Sequence, residues 1–254
     1  MAPRAMRIEK PQIEERTRPM RTDANRELIT PRAMAKRIAS GFTLLELLTV
    51  VSIIGILASV AGPGLNHALM AAKANAAMQQ ARQIALGLRG FAADNGGVFP
   101  TGENAYGESI SSSNAAFRDL LDYVEDESVF AVKGSNWGSE ADNKMSSASE
   151  YIQAGENHFA YISGLDTMSK STWPLVVDGT DGKGTFTTDR KQKGGLWKGK
   201  RGVMVRCDGS GSVKRLGRSK SGNGRFLPRA DEPQENALDT AYMGEGVELL
   251  DPEG

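Results

Sequence analysis

The sequence predicts an α+β fold in which one long N-terminal helix, apolar in its first half and amphipathic in its second, packs on a small antiparallel sheet. Three observations carry this expectation. The run FTLLELLTVVSIIGILASVA, residues 42–61, holds a single charge. Apolar side chains then recur at steps of three and four as far as Phe91, and four short β-rich runs separated by glycine-rich turns follow after residue 157.

The apolar run has the length that an α-helix needs to cross about 30 Å of hydrocarbon. Lys36 and Arg37 precede it, and after Glu46 the next charge is Lys73. The positive-inside rule therefore leaves the N-terminus cytoplasmic and sends the remainder across a lipid bilayer. A secretory signal peptide, cut near Ala58–Ala61, is the competing reading. Glu46 argues against it, because a carboxylate inside an apolar span costs on the order of 2.5–3.5 kcal/mol on insertion scales. A cut between Gly41 and Phe42 would create an α-amine at similar depth, and a neighbouring subunit's Glu46 could neutralise it.

Gly41-Phe42-Thr43-Leu44-Leu45-Glu46-Leu47, with a basic leader before it and an apolar helix after it, resembles the cleavage and methylation motif of type IV prepilins and type II secretion pseudopilins. The resemblance implies a prepilin peptidase that cuts after Gly41 and methylates the Phe42 amine. It also implies that Glu46 acts in docking between subunits. Partners would be copies of this chain or other pilin-like subunits and an inner-membrane assembly platform. The protein would sit in the bacterial inner membrane as a single-pass chain with a periplasmic head, then in a filament. Gly55 and Pro63 fall where such helices are weakened; a plain kink at the membrane exit explains them equally well.

The organisation expected along the chain is a leader at 1–41, a transmembrane and assembly helix at 42–61, an amphipathic helix at 62–95, a globular head at 96–218 and an acidic, loosely ordered tail at 219–254. Met34 opens a short basic stretch that has the character of a leader by itself, so translation can start there. Leu65, Leu69, Ala72 and Ala76, then Ala77, Ala81, Ile84, Leu88 and Phe91, form the apolar stripe, and Gly96, Gly97 and Pro100 stop the helix. Asn114 is expected to cap a short helix from Ala115 to Val124. The strand-like runs are His158–Ser163, Trp173–Asp178, Gly202–Cys207 and Ser212–Leu216, the last two joined by a turn at Gly209-Ser210-Gly211.

Charge is blocked: residues 94–166 hold 13 acids and 3 bases, whereas residues 167–230 hold 4 acids and 15 bases. Contact between oppositely charged faces of neighbouring heads accounts for the basic block with fewer assumptions than nucleic-acid binding. The chain has one cysteine and two histidines, too few for a thiolate or imidazole metal site. Asp178 and Asp181 beside a glycine-rich turn are the calcium candidates. They bring few of the six to eight oxygens calcium takes, so a solvated turn is the first reading and no cofactor is expected. No Ser-His-Asp, HExxH, Walker or GxGxxG arrangement is readable. The function expected is that of a non-enzymatic filament subunit; the alternative is a single-pass, membrane-anchored binding protein or enzyme with a periplasmic head.

Overall fold

Helix α1 (Leu44–Asp94) forms where the apolar and alanine-rich sequence favours it and stops at two glycines. Gly96 takes φ +66°, and the Gly97 N–H donates to the Ala92 carbonyl at 2.7 Å, which closes the last turn. The computed structural model describes residues 42–254 apart from 148, 149, 220, 229 and 231–233, and for residues 60–63 the backbone alone. The expected leader, with Met34 and Gly41, lies outside the described residues.

The chain divides into two units, Met1–Val51 and Ser52–Gly254. In the first, Phe42 and Thr43 lead into α1, and every described residue is exposed. The second unit holds the rest of α1 and the head.

The head is an α+β structure. After α1 come α2 (Ser113–Phe117), two single 3-10 turns at Arg118–Leu120 and Glu127–Val129, and strands β1 (Phe159–Ser163), β2 (Pro174–Asp178), β3 (Arg201–Arg206) and β4 (Gly211–Arg215). Two short strands, β5 (Gly217–Arg218) and β6 (Gly224–Arg225), pair with each other, and β7 (Glu248–Leu250) follows. The main sheet is antiparallel throughout, in the order β4-β3-β2-β1-β7. The four expected strands lie within a residue or two of their predicted positions.

Period-two alternation sends side chains to two cores. Phe159, Tyr161, Val203 and Val205 join Ala74, Ala77, Ala81, Ile84, Ala85, Leu88 and Ala92 of α1 on one face. Ala160, Val177 and Met204 join Phe186, Phe226 and Leu238 on the other. Both faces of the sheet are thus covered, which is why β1 and β2 are buried along their whole length. Burying side chains such as Ile84 and Leu88 contributes about 1.5–3 kcal/mol each.

The α1 stripe differs from the expected one at its start. Leu65, Leu69, Ala72 and Ala76 are exposed, and burial begins at Ala74. Small residues on this face allow close approach: a Cβ at Gly87 would meet Val124 Cγ2 at 2.8 Å, and one at Gly90 would meet Tyr123 Cδ1 at 2.8 Å.

The helix expected from Ala115 to Val124 is shorter and starts earlier. Its cap is Ser112, whose hydroxyl accepts from the Ala115 N–H at 3.1 Å, not Asn114. Asn114 is buried instead, donating to the Ile152 and Gln153 carbonyls and accepting from Asn157 and the Glu253 N–H. The segment whose composition reads as a loose tail supplies β6 and β7. Its backbone also ties into the head through Ser113 N–H to the Asp251 carbonyl and Gly155 N–H to the Glu253 carbonyl.

Candidate functional site

Two oxygen-bearing side chains define the start of α1. Thr43 is the residue before the helix and Glu46 lies in its first turn. The Thr43 N–H and hydroxyl both donate to Glu46 Oε2 at 2.9 Å, and the Glu46 N–H donates to Thr43 Oγ1 at 3.2 Å. This is a reciprocal capping box, Thr-x-x-Glu, which satisfies two N–H groups the helix start leaves open. The Thr-Leu-Leu-Glu spacing carries that signal in the sequence, so Glu46 has a capping role beside the one its charge suggests.

Around this start the apolar side chains are exposed among the described residues. Phe42 is 79% exposed and Leu44 83%, and Leu45, Leu47, Leu48, Val50 and Val51 are exposed as well. In the second unit Ile53, Ile54, Ile56 and Leu57 are exposed too. Contiguous exposed apolar surface marks a face that another molecule or a membrane covers. Among the described residues no single helix is long and apolar enough to cross a membrane, but Leu44–Ser59 and Gly64–Asp94 together, as a bent pair, meet the requirement by length and composition. Pro63 lies in the stretch between them, and a Cβ at Gly55 would meet nothing within 4 Å.

The calcium candidates sit apart in their bonding. Asp178 is buried at the end of β2, where its Oδ2 accepts from Trp197 Nε1–H at 2.8 Å and from the Val203 N–H at 2.6 Å. Its Oδ1 has no hydrogen-bond partner, and burial pushes the carboxyl up to about 7. Asp181 lies in the following turn and accepts from the N–H groups of Lys183 and Thr185, the Thr185 hydroxyl and the Asn223 amide.

A different set of acids comes together. Glu127, Asp142 and Glu156 each place a carboxylate oxygen within 4.8 Å of the others. Gaps of 15 and 14 residues match no motif spacing, so only the fold assembles them.

The basic block contributes to a cavity of about 550 Å³ whose lining includes Lys170, Arg206, Lys214 and Arg215 beside Trp173 and Phe226. No acid lines it.

Cys207 is buried beneath Arg89, whose guanidinium donates to the Cys207 carbonyl, and burial pushes its thiol up to about 11. At pH 8 a maleimide should therefore label the native protein slower than the denatured chain by roughly two to three orders of magnitude. Equal labelling rates with and without denaturant would show that the β3–β4 turn opens freely.

Residues 36–62 match the family model of the prokaryotic N-terminal methylation motif, the signature of type IV pilins and pseudopilins. Proteins that carry this motif form a structural rather than an enzymatic class. No curated protein and no solved structure matches the chain. The match spans the basic residues Lys36 and Arg37, the Gly41-Phe42 junction, the Thr43–Glu46 box and the apolar first part of α1.

Proposed function

We propose that the chain is the precursor of a filament subunit of a type IV pilus or a type II secretion pseudopilus. A prepilin peptidase cuts after Gly41 and methylates the freed amine of Phe42. The apolar part of α1 holds the subunit in the inner membrane with the head on the periplasmic side. An assembly platform then draws it into a filament with copies of itself or other pilin-like subunits. Residues 1–41 act as leader, 42–61 as the transmembrane and assembly helix, 62–95 as its amphipathic continuation, and the rest as head and tail. Gly55 and Pro63 let the helix bend as lipid contacts are exchanged for subunit contacts.

One observation supports this reading: the helix start that bears the methylation motif is surrounded by apolar side chains that are exposed among the described residues. A soluble protein would leave that surface in water. A filament buries it twice, first in lipid and then among neighbouring helices. The cationic cavity facing β3 and β4 and the acidic surface of residues 94–166 supply complementary charge for contacts between heads.

The mature N-terminus tests the reading directly. Mass spectrometry of membrane-extracted protein should recover a terminal peptide that begins with N-methylated Phe42. Gly41→Leu, which fills a position the peptidase needs nearly empty, should leave uncut precursor and reduce mature protein at least roughly tenfold, a loss of about 1.4 kcal/mol or more in transition-state binding. A mature terminus near Ala61, or full processing of Gly41→Leu, would reject the assignment.

A further inference from the structure

Between the 3-10 turn at Glu127–Val129 and β1, the described residues form neither helix nor strand. Such a long irregular stretch needs something besides a hydrogen-bond ladder to fix it. The three acids gathered there come from its two ends and its middle. Glu127 is fully buried, and only one of its oxygens is used: Oε1 accepts from the Ile152 N–H at 2.5 Å, whereas Oε2 is buried with no hydrogen-bond partner. Glu156 is also buried, and its two oxygens accept from the Asp142 N–H at 3.3 Å and the Gln153 N–H at 2.7 Å. Asp142 is exposed and accepts from the Lys144 N–H at 2.9 Å and its ammonium at 2.7 Å.

We propose that Glu127, Asp142 and Glu156 hold a calcium ion that staples the irregular stretch to the start of β1. The donors are all carboxylate oxygens, the hard ligands that calcium selects over softer metals, and no thiol or imidazole belongs to the group. Their mutual separations, up to 4.8 Å, do not exceed twice a calcium–oxygen distance of about 2.4 Å. The free Oε2 of Glu127 is an acceptor taken out of water with nothing to accept from, a position that is costly unless a cation or proton fills it. Backbone N–H groups of residues 142, 152 and 153 already orient the carboxylates, as the partners behind metal ligands do. Second carboxylate oxygens, carbonyls and water complete the coordination. Lys144, the one cation bonded to the group among the described residues, sits on the exposed Asp142 and not on the two buried carboxylates. The site is separate from Asp178 and Asp181, and it does not rest on the filament reading.

The test is thermal unfolding of the detergent-solubilised full chain in EGTA, in calcium and in magnesium, with calcium titration by calorimetry alongside. Calcium at about 100 times its dissociation constant should raise the melting temperature by roughly 5–10 °C. Asp142→Asn, a change at an exposed loop position, should melt like the wild type in EGTA and lose most of the calcium response. Glu127→Gln should melt higher than the wild type in EGTA, because the buried charge is gone, and should show no calcium response. The proposal is overturned if the wild type melts at the same temperature in calcium and in EGTA, which would assign a proton to Glu127. It is also overturned if Asp142→Asn keeps the full response, which would put the ion elsewhere.

Discussion

Glu46→Leu should give a subunit that is inserted, processed and folded yet absent from filaments. The substitution removes the cost of a carboxylate in an apolar span, so membrane levels of mature protein should hold or rise. On the proposed docking role the incoming Phe42 amine would then meet no counter-charge, and an unpaired buried charge costs several kcal/mol where a pair would be tolerated. Incorporation should fall more than roughly a hundredfold, since each 1.4 kcal/mol is a factor of ten. Because Glu46 also closes the capping box with Thr43, the leucine variant loses the bonds from the Thr43 N–H and hydroxyl as well, while the Thr43 hydroxyl can still accept from the N–H of residue 46. Glu46→Gln separates the two effects, since glutamine retains the box and lacks the charge. If charge pairing is the role, the glutamine variant fails as the leucine variant does. Normal filaments built from Glu46→Gln as sole subunit would refute the docking role and leave only the cap.

A large effect on the head itself is expected at Asp178. Its carboxyl is held at about 7 by burial beneath Trp197 and β3, whereas an unfolded chain releases that proton near pH 3.9. Between these values the folded state binds more protons than the unfolded one, so stability falls as pH rises from about 4 to about 7. Three pH units at about 1.4 kcal/mol each put the loss on the order of 4 kcal/mol. Asp178→Asn keeps an acceptor for Trp197 Nε1–H and the Val203 N–H and carries no charge. Chemical denaturation should find the asparagine variant close to the wild type at pH 4.5, more stable at pH 8, and flatter in between. Asp178→Ala strands both donors and should destabilise at every pH, by about 1–3 kcal/mol per orphaned group. A wild-type minus asparagine difference that does not change with pH would show that Asp178 is buried as a carboxylate.

Helix α1 and four strands were legible because each repeats its pattern long enough to outvote local exceptions. Ile84, Leu88 and Ala81 share a face over several turns, and Pro-Leu-Val-Val-Asp and Gly-Val-Met-Val-Arg have nothing to be but buried strands. What escaped was set by tertiary partners. The exposed Leu65 and Leu69 continue the periodic stripe beyond the head, because the period records a helix and not what lies against it. Strand β7 is three residues in an acidic segment and exists because β1 offers it an edge. Asn114 has the chemistry of a cap, but the fold uses its amide to join the 152–157 loop to α2. The methylation motif was readable residue by residue, being contiguous, whereas the Glu127, Asp142 and Glu156 cluster was not, being gathered from distant points of one irregular stretch.

The pairing of β1 with β7 bears on how the head is made. Strand β1 lies inside the sheet only because residues 248–250 come back to it past β2, β3 and β4. A chain threaded across a membrane from its N-terminal side delivers β1 long before β7, and closing so long a loop is a late and entropically costly event. During that interval Phe-Ala-Tyr-Ile-Ser has one bare edge of unpaired N–H and C=O groups, the template on which aggregation starts. If the head is exported as proposed, its folding is a race between delivery of β7 and capture of β1 by another chain, and slow translocation would forfeit molecules whose native state is stable.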